Sequence, residues 1–231
     1  MKQLNLTLKK KSGTQPLNFL VKRMVNGGYS GRDQKSVNRH IEELKKAGVP
    51  APDEVPTLYP MASYLITTQD TLETVEKSTS GEAEFVLFLD GKKMYVGAGS
   101  DHTDRALEVA SILKSKQMCP NVVSANVWDY DEVKEDWDNL VLRSWTDADG
   151  QRILYQEAKL SAIMTVADIL AFVKSRIKDN DLNNLVIYSG TIPLLSGEAI
   201  YGNSFEVELH NPQTKNSLWC RYKIRFLDYL K

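Results

Sequence analysis

The sequence predicts an α+β protein dominated by β-strands, and three observations carry that reading. Short apolar runs bounded by turn residues recur along the chain, and "MKQLNLTLKK" alternates as a strand does. Turn dipeptides, Asp90-Gly91 and Asp149-Gly150, separate paired apolar runs as hairpin turns do. Only three segments carry convincing helical spacing.

In chain order, "LNLTL" and "LNFLVKRMV" read as two strands about the Ser12-Gly13 turn, and "NGGYSG" as a loop. A helix is predicted from about Gln34 to Ala47. Val37, Ile41 and Leu44 form its apolar stripe, Gly48 stops it and Pro50 prevents continuation. "VPAPDEVPTLYP" is an extended connector. "SYLITT" and "TLETVEKS" read as short strands, and "GEAEFVLFLDGKKMYVGAGSD" as a hairpin. "DRALEVASILKSK" has helical spacing through Leu107, Ala110 and Leu113, and "YDEVKEDWDN" is acidic and partly helical. "LVLRSW" and "RILYQEAKL" form the second hairpin. Thr165 caps the helix "TVADILAFVKSRI". "NLVIYSGT", "SFEVELHN" and "SLWCRYKIRFL" close the chain as strands. We expect a single domain over 1–231, with 1–35 as an N-terminal hairpin extension and 36–231 as the core.

The 231 residues suffice for a proper hydrophobic core, and the net charge of −1 offers no general attraction to nucleic acid or an anionic membrane. No apolar run is long enough to span a bilayer, and "MKQLNLTLKK" lacks the apolar centre of a signal peptide. Cys119 and Cys220, the only cysteines, lack metal-type spacing. A cytoplasmic location fits this usage.

Side chains alternate along a strand, so Glu82, Glu84, Val86 and Phe88 share one face, and Ala83, Phe85, Leu87 and Leu89 the other. The two glutamates, about 6–7 Å apart along the backbone, can converge on one hard divalent cation. Asp101, at the end of the returning strand, is a candidate third ligand. A solvated pair at a strand entrance is the other reading of the same pattern. His40 and Glu43 are neighbours on a helix, either a surface pair or a base with its orienting carboxylate. Lys116 reads as a solvated helix-end lysine. "SGT" at 189–191 reads as an ordinary turn or as a strand-end loop offering N–H groups and a hydroxyl to an anion. No phosphate loop, dinucleotide fingerprint, zinc motif or nucleophile elbow occurs.

The order of these pieces resembles the fumarylacetoacetate hydrolase superfamily. The blocks are "HIEELKKAGVPAPDEVP", "GEAEF", "SDHTDR", "LKSKQ", "DGQRILYQ" and "SGTIP", over roughly residues 38 to 228. The resemblance implies a mixed β-sandwich roll, commonly a homodimer. It also implies Glu82, Glu84 and Asp101 as ligands of Mg²⁺ or Mn²⁺. His40 and Glu43 would activate water, on a segment that often orders over substrate, and Lys116 would assist with charge or protons. Gly190 and Thr191 would hold a substrate carboxylate or oxyanion, and Arg105 and Asp104 fall at further substrate-contacting positions. The link from Glu84 to Asp101 is shorter than is usual there, "SDHTDR" replaces an Asn-Asp and Arg-Asp pattern, "LYPMAS" replaces a Phe-x-Lys, and "GTIPLLSG" lacks the usual glycines. These departures fall on substrate-contacting parts.

The activity implied is hydrolysis of a C–C bond in a β-diketone or acylpyruvate-type 2-oxo acid, with a metal-bound enolate as leaving group. Without water attack, the same site suits decarboxylation or tautomerisation. A non-catalytic small-molecule binding protein of the same fold, or a plain structural protein with solvated carboxylates, are the other classes.

Overall fold

The computed structural model describes residues 1–46 and 48–230. The strands are β1 (Lys2–Lys10), β2 (Gly13–Val21), β3 (Arg23–Gly28), β4 (Thr57–Met61), β5 (Ile66–Thr67), β6 (Thr71–Thr74), β7 (Thr79–Ser80), β8 (Ala83–Asp90), β9 (Lys93–Asp101) and β10 (Thr103–Asp104). They continue with β11 (Asn121–Val123), β12 (Asn126–Asp129), β13 (Val141–Ala148), β14 (Gln151–Lys159), β15 (Leu185–Tyr188), β16 (Ser204–Asn211) and β17 (Asn216–Phe226). The helices are α1 (Gln34–Lys46), α2 (Arg105–Glu108), α3 (Ile112–Gln117) and α4 (Val166–Arg176). Strands dominate, as expected. Ala47, the expected last residue of α1, lies outside the described residues.

Ten strands form one mixed sheet, ordered β2-β1-β12-β9-β8-β15-β3-β4, with β11 beside β9 and β5 beside β11. Five more form a second sheet, β14-β13-β16-β17-β6. The large sheet curls on itself and encloses one core, which includes Leu4, Leu6, Phe19, Met24, Val86, Phe88 and Val186. Its outer face packs on the five-stranded sheet and on α4 through a second core of Phe85, Leu87, Val207, Leu209, Leu218, Ile169 and Val173. Strand β8 therefore divides its alternating side chains between two cores. This explains why both its faces are apolar from residue 85 onward.

Three local expectations change. "LNFLVKRMV" is not one strand. The chain turns at Lys22, and β3 leaves β2 to pair parallel with β15 and antiparallel with β4. The first 35 residues are thus built into the large sheet, with β1 also parallel to β12. "DRALEVASILKSK" breaks into α2 and α3, because the Ser111 hydroxyl accepts the Lys114 N–H and starts a new helix. "SYLITT" opens with a single helical turn at Ser63–Leu65, leaving only two residues as β5. Thr165 caps α4 as expected, accepting the Asp168 N–H. On α1 only Val37 is fully buried, while Ile41 and Leu44 are half-buried, so the helix lies on the periphery.

Candidate metal centre

The antiparallel register of β8 and β9 sets Ala83 against Ser100 and Glu84 against Gly99, and the Asp101 N–H donates to the Glu82 carbonyl. Glu82, Glu84 and Asp101 therefore emerge on the inner face at one end of the curled sheet. One oxygen from each lies within 4.8 Å of the others. Among the described residues no other group of three His, Cys, Asp or Glu side chains gathers this closely. Glu84 and Asp101 are fully buried, while Glu82 reaches solvent at its edge.

Lys116, read from the sequence as a solvated helix-end lysine, is instead buried at the end of α3. Its ammonium donates to Asp101 Oδ2 at 2.5 Å and to Glu82 Oε2 at 3.0 Å. Arg105 Nη1 donates to Glu82 Oε1 and to Glu108 Oε1, both at 2.9 Å, and its Nε to Ser80 Oγ at 2.7 Å. Burial alone would raise the Glu82 carboxyl, but Lys116 and Arg105 hold it down at about 2. Burial, then the Asp101 charge, pushes Glu84 well above the carboxylate range. Burial also raises Asp101, against the pull of Lys116. Burial would lower Lys116, yet Asp101, Glu82 and Glu84 together raise it.

Gly190 adopts φ +83°, and a Cβ there would meet Ser30 Oγ at 2.2 Å. That turn aims its N–H at Glu84 Oε2, 2.7 Å away. In this arrangement the N–H orients Glu84. The Thr191 hydroxyl is likewise engaged, donating to the Ala83 carbonyl at 2.9 Å and accepting from Gln156 Nε2 at 2.8 Å. Gln156, fully buried, also accepts from the Ala83 N–H and the Ser144 hydroxyl and donates to the Ile192 carbonyl. It ties the start of β8 to both hairpin strands and to the 189–192 turn. Asp104, expected at a substrate-contacting position, is buried at the start of α2. Its carboxylate caps α2 by accepting the Leu107 N–H at 3.1 Å. Arg105, expected to contact substrate, is locked between Glu82 and Glu108.

His40 and Glu43 do meet, with Nδ1 and Oε2 3.8 Å apart, but their side chains are 61 % and 62 % exposed. The His40 ring lies 6.4 Å from the ring of Tyr29. Tyr29 in turn feels the charges of Glu108 and Glu82, and burial raises its hydroxyl first of all. Tyr29 holds φ 55°, an uncommon conformation for a bulky residue. Tyr59 lies beside it, its ring centroid 5.8 Å from the Lys116 ammonium. Neither tyrosine, nor Glu108, Asn26 or Asn121, was singled out from the sequence. Only Glu108 had a local signal, three residues after Arg105 on a helical pattern.

The donor set fits a hard divalent cation: three carboxylates, and Glu84 Oε1 buried with no hydrogen-bond partner among the described residues. No helix among the described residues is long and apolar enough to cross a membrane.

Residues 27–222 match the family model DUF2848, described as a protein of unknown function. A comparison with curated proteins finds no match. Solved structures with the same architecture include Cg1458 bound to an inhibitor, at TM-score 0.66 and 18 % identity over 94 % of this chain and 81 % of that one. A 2-keto-3-deoxy-D-arabinonate dehydratase complexed with magnesium and 2,5-dioxopentanoate superposes at TM-score 0.64 and 14 % identity, covering 94 % and 79 %. A 2-hydroxyhepta-2,4-diene-1,7-dioate isomerase from Mycobacterium marinum does so at 0.60 and 14 %, covering 94 % and 80 %. The chain belongs to the DUF2848 family, and its fold is that of the fumarylacetoacetate hydrolase superfamily.

Proposed function

We propose that this protein is a Mg²⁺- or Mn²⁺-dependent enzyme acting on a small 2-oxo acid or β-diketone. The observation that carries the reading is the convergence of Glu82, Glu84 and Asp101 on one point, with Lys116 held among them. The magnesium and 2-oxo acid named in the dehydratase complex support it. A divalent cation held by these three carboxylates would polarise a substrate carbonyl and stabilise charge developing on its oxygen. Lys116 adds a fixed positive charge beside that oxygen. Gly190 keeps Glu84 turned inward, and Arg105 keeps Glu82 ionised.

The reaction we assign first is hydrolysis of a C–C bond. His40, oriented by Glu43, takes a proton from water at the mouth of the site, which requires α1 to move in past Tyr29. The exposure of His40 favours a second reading, in which no water is activated and the site runs decarboxylation or tautomerisation. The relatives named as a dehydratase and an isomerase are consistent with such chemistry.

His40→Ala separates the two. The variant should fold with a stability change below about 1 kcal/mol. With Mg²⁺ and a panel of acylpyruvates and oxaloacetate, it should lose hydrolysis by roughly 10²–10⁴-fold, as expected for a general base. Equal hydrolysis by both proteins would remove His40 from the mechanism. No turnover by the wild type would favour a binding protein of the same fold. A homodimer belongs to the same proposal, supported by the fold alone. Size-exclusion with light scattering at micromolar concentration should give twice the 26.1 kDa chain mass, and a clean monomer would refute it.

A further inference from the structure

The carboxylate chamber has an inner wall of amides. Asn26 on β3 pairs in register with Tyr188 of β15, and Tyr188 with Val86 of β8. Met24, two residues before Asn26, faces the core enclosed by the curled sheet, as do Tyr188 and Val86. Alternation therefore puts Asn26 on that same inner face, at the end where Glu84 and Asp101 emerge. The Asn26 amide lies close enough to Asp101 to favour its charged form, but no Asn26 side-chain atom reaches it with full hydrogen-bond geometry. From the other side, Asn121 of β11 pairs in register with Asp101, and its Nδ2 approaches Asp101 Oδ1 at 3.4 Å.

Both asparagines are fully buried, at 0 % exposure. Among the described residues, Asn26 Oδ1, Asn26 Nδ2 and Asn121 Oδ1 have no hydrogen-bond partner, and neither has Glu84 Oε1. Buried amide atoms are nearly always paired. Four unpaired polar atoms at this end of the inner face leave hydrogen bonding to be completed by something outside the chain. The acceptors Asn26 Oδ1 and Asn121 Oδ1 suit water molecules on a hard cation, which keeps several of them. Asn26 Nδ2 can donate to a carboxylate or substrate oxygen.

Resting on the metal-dependent reading above, we propose that Asn26 and Asn121 are positioning residues that orient the water shell of the divalent cation. Groups in such a position typically change metal affinity by about 10–100-fold when removed. A trapped structural water, independent of any cation, would satisfy the same atoms, and the two accounts differ in what a leucine does.

The test is Mn²⁺ titration by electron paramagnetic resonance of free Mn²⁺, with thermal unfolding of the metal-free protein alongside. Asn26→Leu keeps the branched heavy-atom skeleton and deletes the unpaired atoms. It should leave the metal-free melting temperature unchanged or higher and weaken Mn²⁺ binding by about tenfold or more. Wild-type Mn²⁺ affinity in this variant, with a lowered metal-free melting temperature, would assign Asn26 to a structural water and overturn the proposal. If Asn26→Leu does not fold, Asn26→Asp decides, since a further carboxylate should tighten Mn²⁺ binding by about tenfold and unchanged affinity would overturn the idea. Absence of Mn²⁺ binding by the wild type would instead remove the metal reading itself, and this inference with it.

Discussion

Replacing Lys116 by methionine is expected to destabilise the metal-free protein by about 3–5 kcal/mol, the usual loss when one partner of a buried ion pair is removed. Asp101 would be left at 0 % exposure without its ammonium, and Glu82 with Arg105 alone. Saturating Mg²⁺ should restore most of the loss, since a cation bound by the same carboxylates replaces the missing positive charge. The sign with pH follows from Asp101, whose folded carboxyl is already raised. Between the unfolded value near 3.8 and the raised folded value, the native state holds the extra proton. The deficit is therefore largest at neutral and alkaline pH and narrows as pH falls toward that ordinary value. Guanidinium unfolding with chelator and with Mg²⁺, at two pH values, measures all of this. A variant within about 1 kcal/mol of wild type in chelator would show that Lys116 does not hold the cluster together.

Glu84→Gln should do the reverse: fold well and ignore the metal. A neutral amide keeps the shape of the carboxyl, and burial already disfavours the charged form of Glu84. The amide oxygen can still accept the Gly190 N–H that now reaches Oε2 at 2.7 Å. Stability without metal is expected within about 1 kcal/mol of wild type. Wild type at a Mg²⁺ concentration one hundred times its dissociation constant gains about 2.7 kcal/mol, and the variant should gain almost none of it. Turnover of every 2-oxo acid should fall with it. A full Mg²⁺-induced rise in melting temperature for Glu84→Gln would take Glu84 out of the ligand set.

The carboxylates were legible in the sequence because what places them is local. Strand alternation puts Glu82 and Glu84 on one face, and the turn after Asp90 brings Asp101 back beside them. The His40–Glu43 pair was equally legible from helical spacing, but its distance from the carboxylates was not, since spacing says nothing about how a helix sits on a sheet. The burial of Lys116 was not legible for a related reason. A lysine near a helix end is solvated unless distant carboxylates enclose it, and those come from other strands. Asn26 lay out of reach because "NGGYSG" read as a loop, whereas β3 runs on through Gly28. Only the pairing of β3 with β15, a strand roughly 160 residues later, carries it to the inner face. Asp104 and Gly190 carried motif positions, yet here they serve as a helix cap and an orienting N–H, both common uses of those residue types.

The placement of β15 between β8 and β3 has a consequence for the chain as it is made. Synthesis runs from the N-terminus, so β3 and β8 exist long before the residues that bridge them. The Ser30 hydroxyl waits for a carbonyl at Ser189, 159 positions later. Until then the nascent chain carries two open strand edges flanked by Val25, Val86 and Phe88, a surface prone to pairing with other chains. The asparagine wall and the carboxylates face each other only once β15 closes that gap. A ribosome-bound chain ending before residue 185 can hold no assembled site, and it is at that stage that the protein depends most on being kept apart from its neighbours.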